Sequence, residues 1–161
     1  MALGDNTLQA ARGNQNPGRN PYMVQTTLNW ATALSDKGSA LAASDVVPVI
    51  AVPKGTMVMN AGIEVTTASD GSTFTVDLGM VDADVFVDGF DATSAAAVVA
   101  QNPAAYQPVM AVANDNIDVT IATLSGGAVT SGKFRVWAIL MDCTDIGNEG
   151  TADEVDRDLL A

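Results

Sequence analysis

Met57-Val58-Met59-Asn60-Ala61-Gly62-Ile63-Glu64-Val65-Thr66 and, beyond the turn residues Ser69-Asp70-Gly71-Ser72, Thr73-Phe74-Thr75-Val76-Asp77-Leu78-Gly79-Met80 decide the fold class of this chain. In the first run Met57, Met59, Ala61, Ile63 and Val65 share one face at a period of two, with Val58, Asn60, Gly62, Glu64 and Thr66 on the other. In the second, Phe74, Val76, Leu78 and Met80 point inward. Two alternating runs around an Asp-Gly turn read as a β-hairpin, with Gly62 marking a bulge or bend.

The same alternation extends in both directions. Upstream, Val24, Thr26, Leu28 and Trp30 form one face of an extended segment that begins at Tyr22, and Met23, Gln25, Thr27 and Asn29 form the other. Ala31 to Ser44 is rich in Ala and Ser around Asp36-Lys37-Gly38, which suits a loop or short helical turn. Val46 to Val52 is a short apolar run, and Pro48 inside it predicts an edge strand, because proline has no N–H to give a ladder. Downstream, Asp82 to Pro108 carries mixed signals that fit a loop with a short helix or strand. Ile117, Val119 and Ile121 then resume a period of two, Ser125-Gly126-Gly127 opens a turn that runs to Gly132, and Phe134, Val136, Ala138 and Leu140 alternate with Arg135, Trp137, Ile139 and Met141. That last strand has few polar positions on either face, which predicts burial on both sides, as in a central or interface strand.

Six to eight short strands and little helix define an all-β protein. The pattern also fits a small barrel, but the expected architecture is an antiparallel β-sandwich, jelly-roll-like, over residues 22–142. No repeat of fixed period points to a solenoid or propeller. Residues 1–21, rich in Asn, Gln, Gly and Arg and closing on Asn16-Pro17-Gly18-Arg19-Asn20-Pro21, form an extended N-terminal arm. Residues 143–161 form an acidic C-terminal tail that is apolar only at Leu159-Leu160.

Composition narrows function by exclusion. The chain has 161 residues, 48% of them hydrophobic, which is enough for one domain with a core. It contains no histidine, which removes the usual neutral-pH proton shuttle and the commonest metal ligand. Nineteen acids against seven bases give a formal charge of −12, and no basic residue lies between Lys54 and Lys133. Such a field repels nucleic acid and anionic membrane surfaces. Cys143 is the only cysteine, so no intrachain disulfide forms, and with acidic neighbours and no histidine to pair with it reads as an incidental strand-end thiol. Met1 to Asp5 has no basic leader followed by an apolar stretch, and no segment is long enough to span a bilayer, which predicts a product made in the cytoplasm.

The candidate sites each have a plainer counterpart. Asp82, Asp84 and Asp88, with Asp91 close by, offer hard oxygen ligands for calcium, but Phe86 and Val87 occupy the third-ligand and glycine positions of an EF-hand loop; solvated turn acids are the simpler reading, and no cofactor or metal is expected. Asp77, Asp115 and Asp118 could be paired carboxylates of a glycosidase, yet two Trp and two Tyr provide little aromatic platform for sugar. Ser125-Gly126-Gly127 lacks a nucleophile elbow or phosphate-binding lysine, and a turn explains it. Met57, Met59 and Met80 suit core filling better than a partner surface, while Trp137, Arg135, Tyr22 and Trp30 belong to types that anchor interfaces, although burial within the sandwich fits Trp137 and Trp30 equally well. No enzyme is expected.

At Asn20-Pro21-Tyr22-Met23-Val24-Gln25-Thr26-Thr27, Val52-Pro53-Lys54-Gly55-Thr56-Met57-Val58-Met59, Val76-Asp77-Leu78-Gly79 and Arg135-Val136-Trp137-Ala138-Ile139-Leu140-Met141-Asp142, the chain resembles capsid decoration, or cement, proteins of tailed bacteriophages. The resemblance spans Asn20 to Asp142 and rests on framework stretches. It implies a homotrimeric β-sandwich on the outer capsid surface of a virion, clamping adjacent subunits of the major capsid protein, with no catalytic residues. It leaves Arg12, Arg19 and Tyr22 as the partner-binding candidates, the arm draping over a neighbour. Minor head-fibre, tail or host-recognition proteins look similar, and a carbohydrate- or calcium-binding β-sandwich is the alternative from another class.

Overall fold

The alternation seen in the sequence becomes two antiparallel sheets packed through one apolar layer. The structure, a computed structural model, describes residues 20–94, 98–100 and 108–143. Its elements in order are β1 (Tyr22–Asn29), α1 (Trp30–Lys37), β2 (Val46–Val52), β3 (Thr56–Thr67), β4 (Thr73–Gly79), β5 (Val87–Asp91), β6 (Val98–Ala100), β7 (Val109–Met110), β8 (Asp115–Ser125) and β9 (Lys133–Asp142). The first sheet runs β1-β9-β3-β6, with β7 also paired to β3, and the second runs β2-β8-β4-β5.

Pairing follows a wrapped ribbon. β1 pairs β9, β2 pairs β8, β3 pairs β6 and β4 pairs β5, so strands from opposite ends of the chain meet first; the wrap closes where β9 also pairs β3 and β8 also pairs β4. This is the antiparallel β-sandwich that the strand spacing predicts. Pro48 lies on the edge strand β2, where the ladder to β8 slips between Pro48 and Ile50.

The expected β3–β4 hairpin does not exist. The two strands belong to different sheets, so Ser69-Asp70-Gly71-Ser72 is an arch that carries the chain across the sandwich. Both strands still bury one face, which is why alternation alone does not separate an arch from a hairpin. Asp70 ties this arch to the β8–β9 arch: its carboxylate accepts hydrogen bonds from the N–H of Thr130 and of Ser131, at 2.8 and 3.0 Å, and from the Thr130 hydroxyl.

The bulge in β3 also falls elsewhere than expected. The ladder to β9 slips between Val58 and Asn60, so Met59 and Asn60 together face Ile139, while Gly62 keeps its register opposite Trp137. One added residue reverses the alternation. Val58 is therefore buried before the bulge and Ala61, Ile63 and Val65 after it, whereas Met57 and Met59, expected in the core, are only half-buried. Met80 does face the core.

The segment after β1 turns helical because Asn29 caps it. The Asn29 side chain accepts a hydrogen bond from the Ala31 N–H at 3.1 Å, and Gly38, at φ 68°, ends the helix with its N–H donating to the carbonyls of Leu34 and Ser35. The helix thereby swings Trp30 into the sandwich. Its ring meets Phe74 of β4 and Phe134 of β9 edge-on, with centroids 5.0 and 5.4 Å away. One aromatic cluster thus binds the helix and both sheets, each pair adding about 0.5–1.5 kcal/mol beyond area burial.

Candidate interaction surface

In an antiparallel ladder, residues directly opposite each other share a face, so the register identifies the outside of each sheet. On the first sheet the inward rows contain Leu28, Phe134 and Val65, or Thr26, Val136 and Ile63. The outward rows therefore contain Thr27, Arg135 and Glu64, then Gln25, Trp137 and Gly62, then Met23, Ile139 and Asn60. Met141, Met57 and Met110 complete the far end. Gly62 puts no side chain beside the Trp137 indole.

The outward face of β9 is half-exposed from Trp137 to Met141, and Arg135 is exposed. Among the described residues burial of this strand is thus one-sided, not two-sided: the core layer covers Phe134, Val136, Ala138 and Leu140, and no described element covers the other side to the same extent. Met23 is 60% exposed and Met110 is exposed as well. Of the seven methionines in the sequence, Met23, Met57, Met59, Met110 and Met141 stand on this one face. Methionine is favoured where surfaces repack against partners. The charged groups are few. Arg135 and Glu64 are cross-strand partners and form an ion pair, Nη1 to Oε2 3.2 Å, half open to solvent and so worth at most about 1 kcal/mol.

The outside of the second sheet has the opposite character. Thr75 and Asp77 of β4 and Asn116, Asp118 and Thr120 of β8 face outward between Phe74, Val76, Leu78, Ile117, Val119 and Ile121, all buried. Burial pushes the Asp77 carboxyl up, the Gly89 N–H hydrogen bond at 2.7 Å opposes that, and the charges of Asp88 and Asp84 add to it. Asp118 is also pushed up, by burial and then by the charge of Asp115.

The residues singled out in the sequence are scattered across these surfaces. Tyr22 is exposed at the start of β1, opposite Leu140. Arg12 and Arg19 lie outside the described residues, as do the arm through residue 19 and the tail from residue 144. Asp84 and Asp88 lie near enough to Asp77 to act on it, whereas Asp82 serves a turn, its carbonyl accepting from the N–H of Met80 at 3.1 Å. Among the described residues no three acidic or cysteine side chains are grouped to hold a metal ion. Cys143 is a half-buried free thiol whose N–H donates to the Gly55 carbonyl at 2.9 Å. Trp30 is a core residue, and Trp137 is not. Met23, Ile139 and Met141 are the surface residues that sequence reasoning passes over. Their signal is present: apolar side chains occupy the face of an alternating strand that is ordinarily polar.

No family model matches the chain, and no curated protein matches its sequence. In fold it is similar to a chain of the cyanophage Pam1 capsid asymmetric unit, with a TM-score of 0.62 at 15% identity over 87% of this chain and 99% of that one. It is similar also to a chain of the Ralstonia phage GP4 capsid, with a TM-score of 0.58 at 15% identity over 84% of this chain and 92% of that one. At this identity the likeness is one of fold, an all-β antiparallel sandwich.

Proposed function

We propose that this chain is a structural protein of a tailed-bacteriophage virion that sits on the outer capsid surface as a trimer and stabilises the lattice by clamping adjacent major capsid subunits. The observation that carries the reading is the fold: a chain of a phage capsid shares it over 99% of its own length. The absence of histidine and the half-exposed apolar sheet face agree with a protein that works through contacts and carries out no catalytic step. A formal charge of −12 suits the outside of a shell filled with DNA better than its inside. Many modest contacts around a symmetry axis hold collectively, with no single strong one required. In this reading the N-terminal arm, with Arg12 and Arg19, lies over a neighbouring subunit.

Density-gradient sedimentation of native particles, with this chain quantified against the major particle protein, tests the assignment. Co-migration at copy numbers that scale with the capsid subunits supports it. A few copies per particle would move the chain to the tail or a fibre, and migration only as a small free species would refute a virion role. Deleting residues 1–21 should lower particle occupancy while the sandwich stays folded, and unchanged occupancy would remove the arm from the mechanism.

A further inference from the structure

We infer that the outward face of the first sheet, centred on Met23, Trp137, Ile139 and Met141, is the surface on which a second copy of this chain packs. The inference names the surface of the proposed trimer and rests only on that part of the reading. Charge selects the occupant. The chain carries a net −12, so two copies repel wherever their acidic surfaces meet. The outward rows of β1, β9 and β3 hold only Lys133, Arg135 and Glu64 as charged side chains, and β1 has none from Tyr22 to Asn29. A second copy can therefore approach this face without like-charge repulsion. A basic foreign partner would find its match on the other sheet, around Asp77, Asp118 and Asp88.

The sheet edge beside this face points the same way. β1 pairs only with β9 among the described strands, and its sequence, Tyr22-Met23-Val24-Gln25-Thr26-Thr27-Leu28-Asn29, contains no proline and no charge. Those are the usual devices that keep an open edge from pairing. The corresponding edge of the second sheet, β2, has Pro48 and a slipped register. Only one of the two edges is protected against another copy.

The area is adequate but not large. Four strand widths at about 4.8 Å and a length of about 30 Å give a footprint of about 600 Å² per copy, or about 1,200 Å² for a pair. That is the lower end of specific interfaces.

The test is sedimentation velocity of the full chain over a micromolar concentration series, alongside a double variant, Met23→Glu with Gln25→Glu, and a control, Thr123→Glu, on the opposite sheet. Met23, Gln25 and Thr123 are all exposed, so each variant should fold, and thermal unfolding of the dilute monomers checks this. The expected result is a wild-type oligomer whose dissociation constant rises at least tenfold in the double variant and stays within twofold in the control. A wild type that is monomeric throughout, or a double variant that assembles like wild type, overturns the inference. Gradient sedimentation of particles separates the two proposals. A double variant with unaltered self-association that leaves the particle assigns this face to the capsid and overturns the inference while the virion role stands. Self-association lost in the double variant, together with a wild type that never joins particles, supports the inference and refutes the virion role.

Discussion

Between Phe134 and Asp142 the outward positions of β9 are Arg135, Trp137, Ile139 and Met141; on β8, in the other sheet, the corresponding positions are Asn116, Asp118 and Thr120. The inward positions of both strands are indistinguishable in kind, with Phe134, Val136, Ala138 and Leu140 set against Ile117, Val119 and Ile121, all buried. The sandwich thus makes equal demands on the inside of each sheet and none on the outside. An apolar outer face on one sheet only is then not something the packing of the sandwich requires.

The shared inner layer is where that comparison breaks most severely. Phe134→Ala empties the centre of the Trp30–Phe74–Phe134 cluster and should cost about 3–5 kcal/mol, read as a shifted urea midpoint. Both outer faces depend on that layer, so binding through either should be lost along with the fold. A value below that of a single surface substitution would mean that the cluster does not hold the sheets together.

A second substitution acts on the acidic sheet alone. At Gly79, the end of β4, an added Cβ would lie 1.8 Å from the Asp82 carbonyl oxygen and 2.4 Å from the carbonyl carbon of Ala83. Gly79→Ala must push the turn into β5 aside, at a cost of about 1–3 kcal/mol for overpacking. Hydrogen exchange should rise in β4 and β5 and stay unchanged in β1 and β9. Equal loosening of both sheets would show that they do not respond separately.

The arch latch should have a smaller effect. Hydrogen bonds from the Thr130 hydroxyl and N–H, with Ser131 adding to them, lower the Asp70 carboxyl to about 2. A depressed folded value means that the stabilisation is complete above the ordinary value of 3.8 and is lost as pH falls through about 2. Because Asp70 is exposed, solvent weakens these bonds, and Asp70→Ala should cost only about 1 kcal/mol at neutral pH. Thermal unfolding of wild type and variant should converge in strong acid; a constant gap would show that charge is not the cause.

The smallest effect should have the opposite sign. Burial and Asp115 raise the Asp118 carboxyl, so its favourable contribution is present below the ordinary value of 3.8 and is lost as pH rises through the folded value. At neutral pH the carboxylate is a cost, and Asp118→Asn should raise the melting temperature slightly. The gain should shrink as the pH approaches the carboxylate range. A variant that is less stable at neutral pH would mean that Asp118 has a partner that needs its charge.

Much of this is legible in the sequence, and the exceptions have specific causes. Alternation between apolar and polar positions is a local signal, and Val76, Val119 and Val136 all read correctly as inward. Pro48 places β2 at an edge because a missing N–H restricts a residue wherever it stands. Met57 and Met59 leave the core face because a bulge of one added residue reverses the faces of a strand and requires no particular residue type. Asp70-Gly71 looks like a hairpin turn because its hydrogen bonds to Thr130 and Ser131 reach 60 and 61 residues along the chain, beyond any local signal.

By itself the sequence determined the all-β class, the inward residues of most strands, the acidic character and the lack of histidine chemistry, because period, charge and composition are properties of neighbouring residues or simple sums. Only the tertiary structure decided that β3 and β4 lie in different sheets, that five methionines gather on one face, and that Trp137 faces outward while Trp30 faces inward. Those outcomes depend on which distant strands pair and in what register, and that is set by the competition of the whole chain for one buried layer.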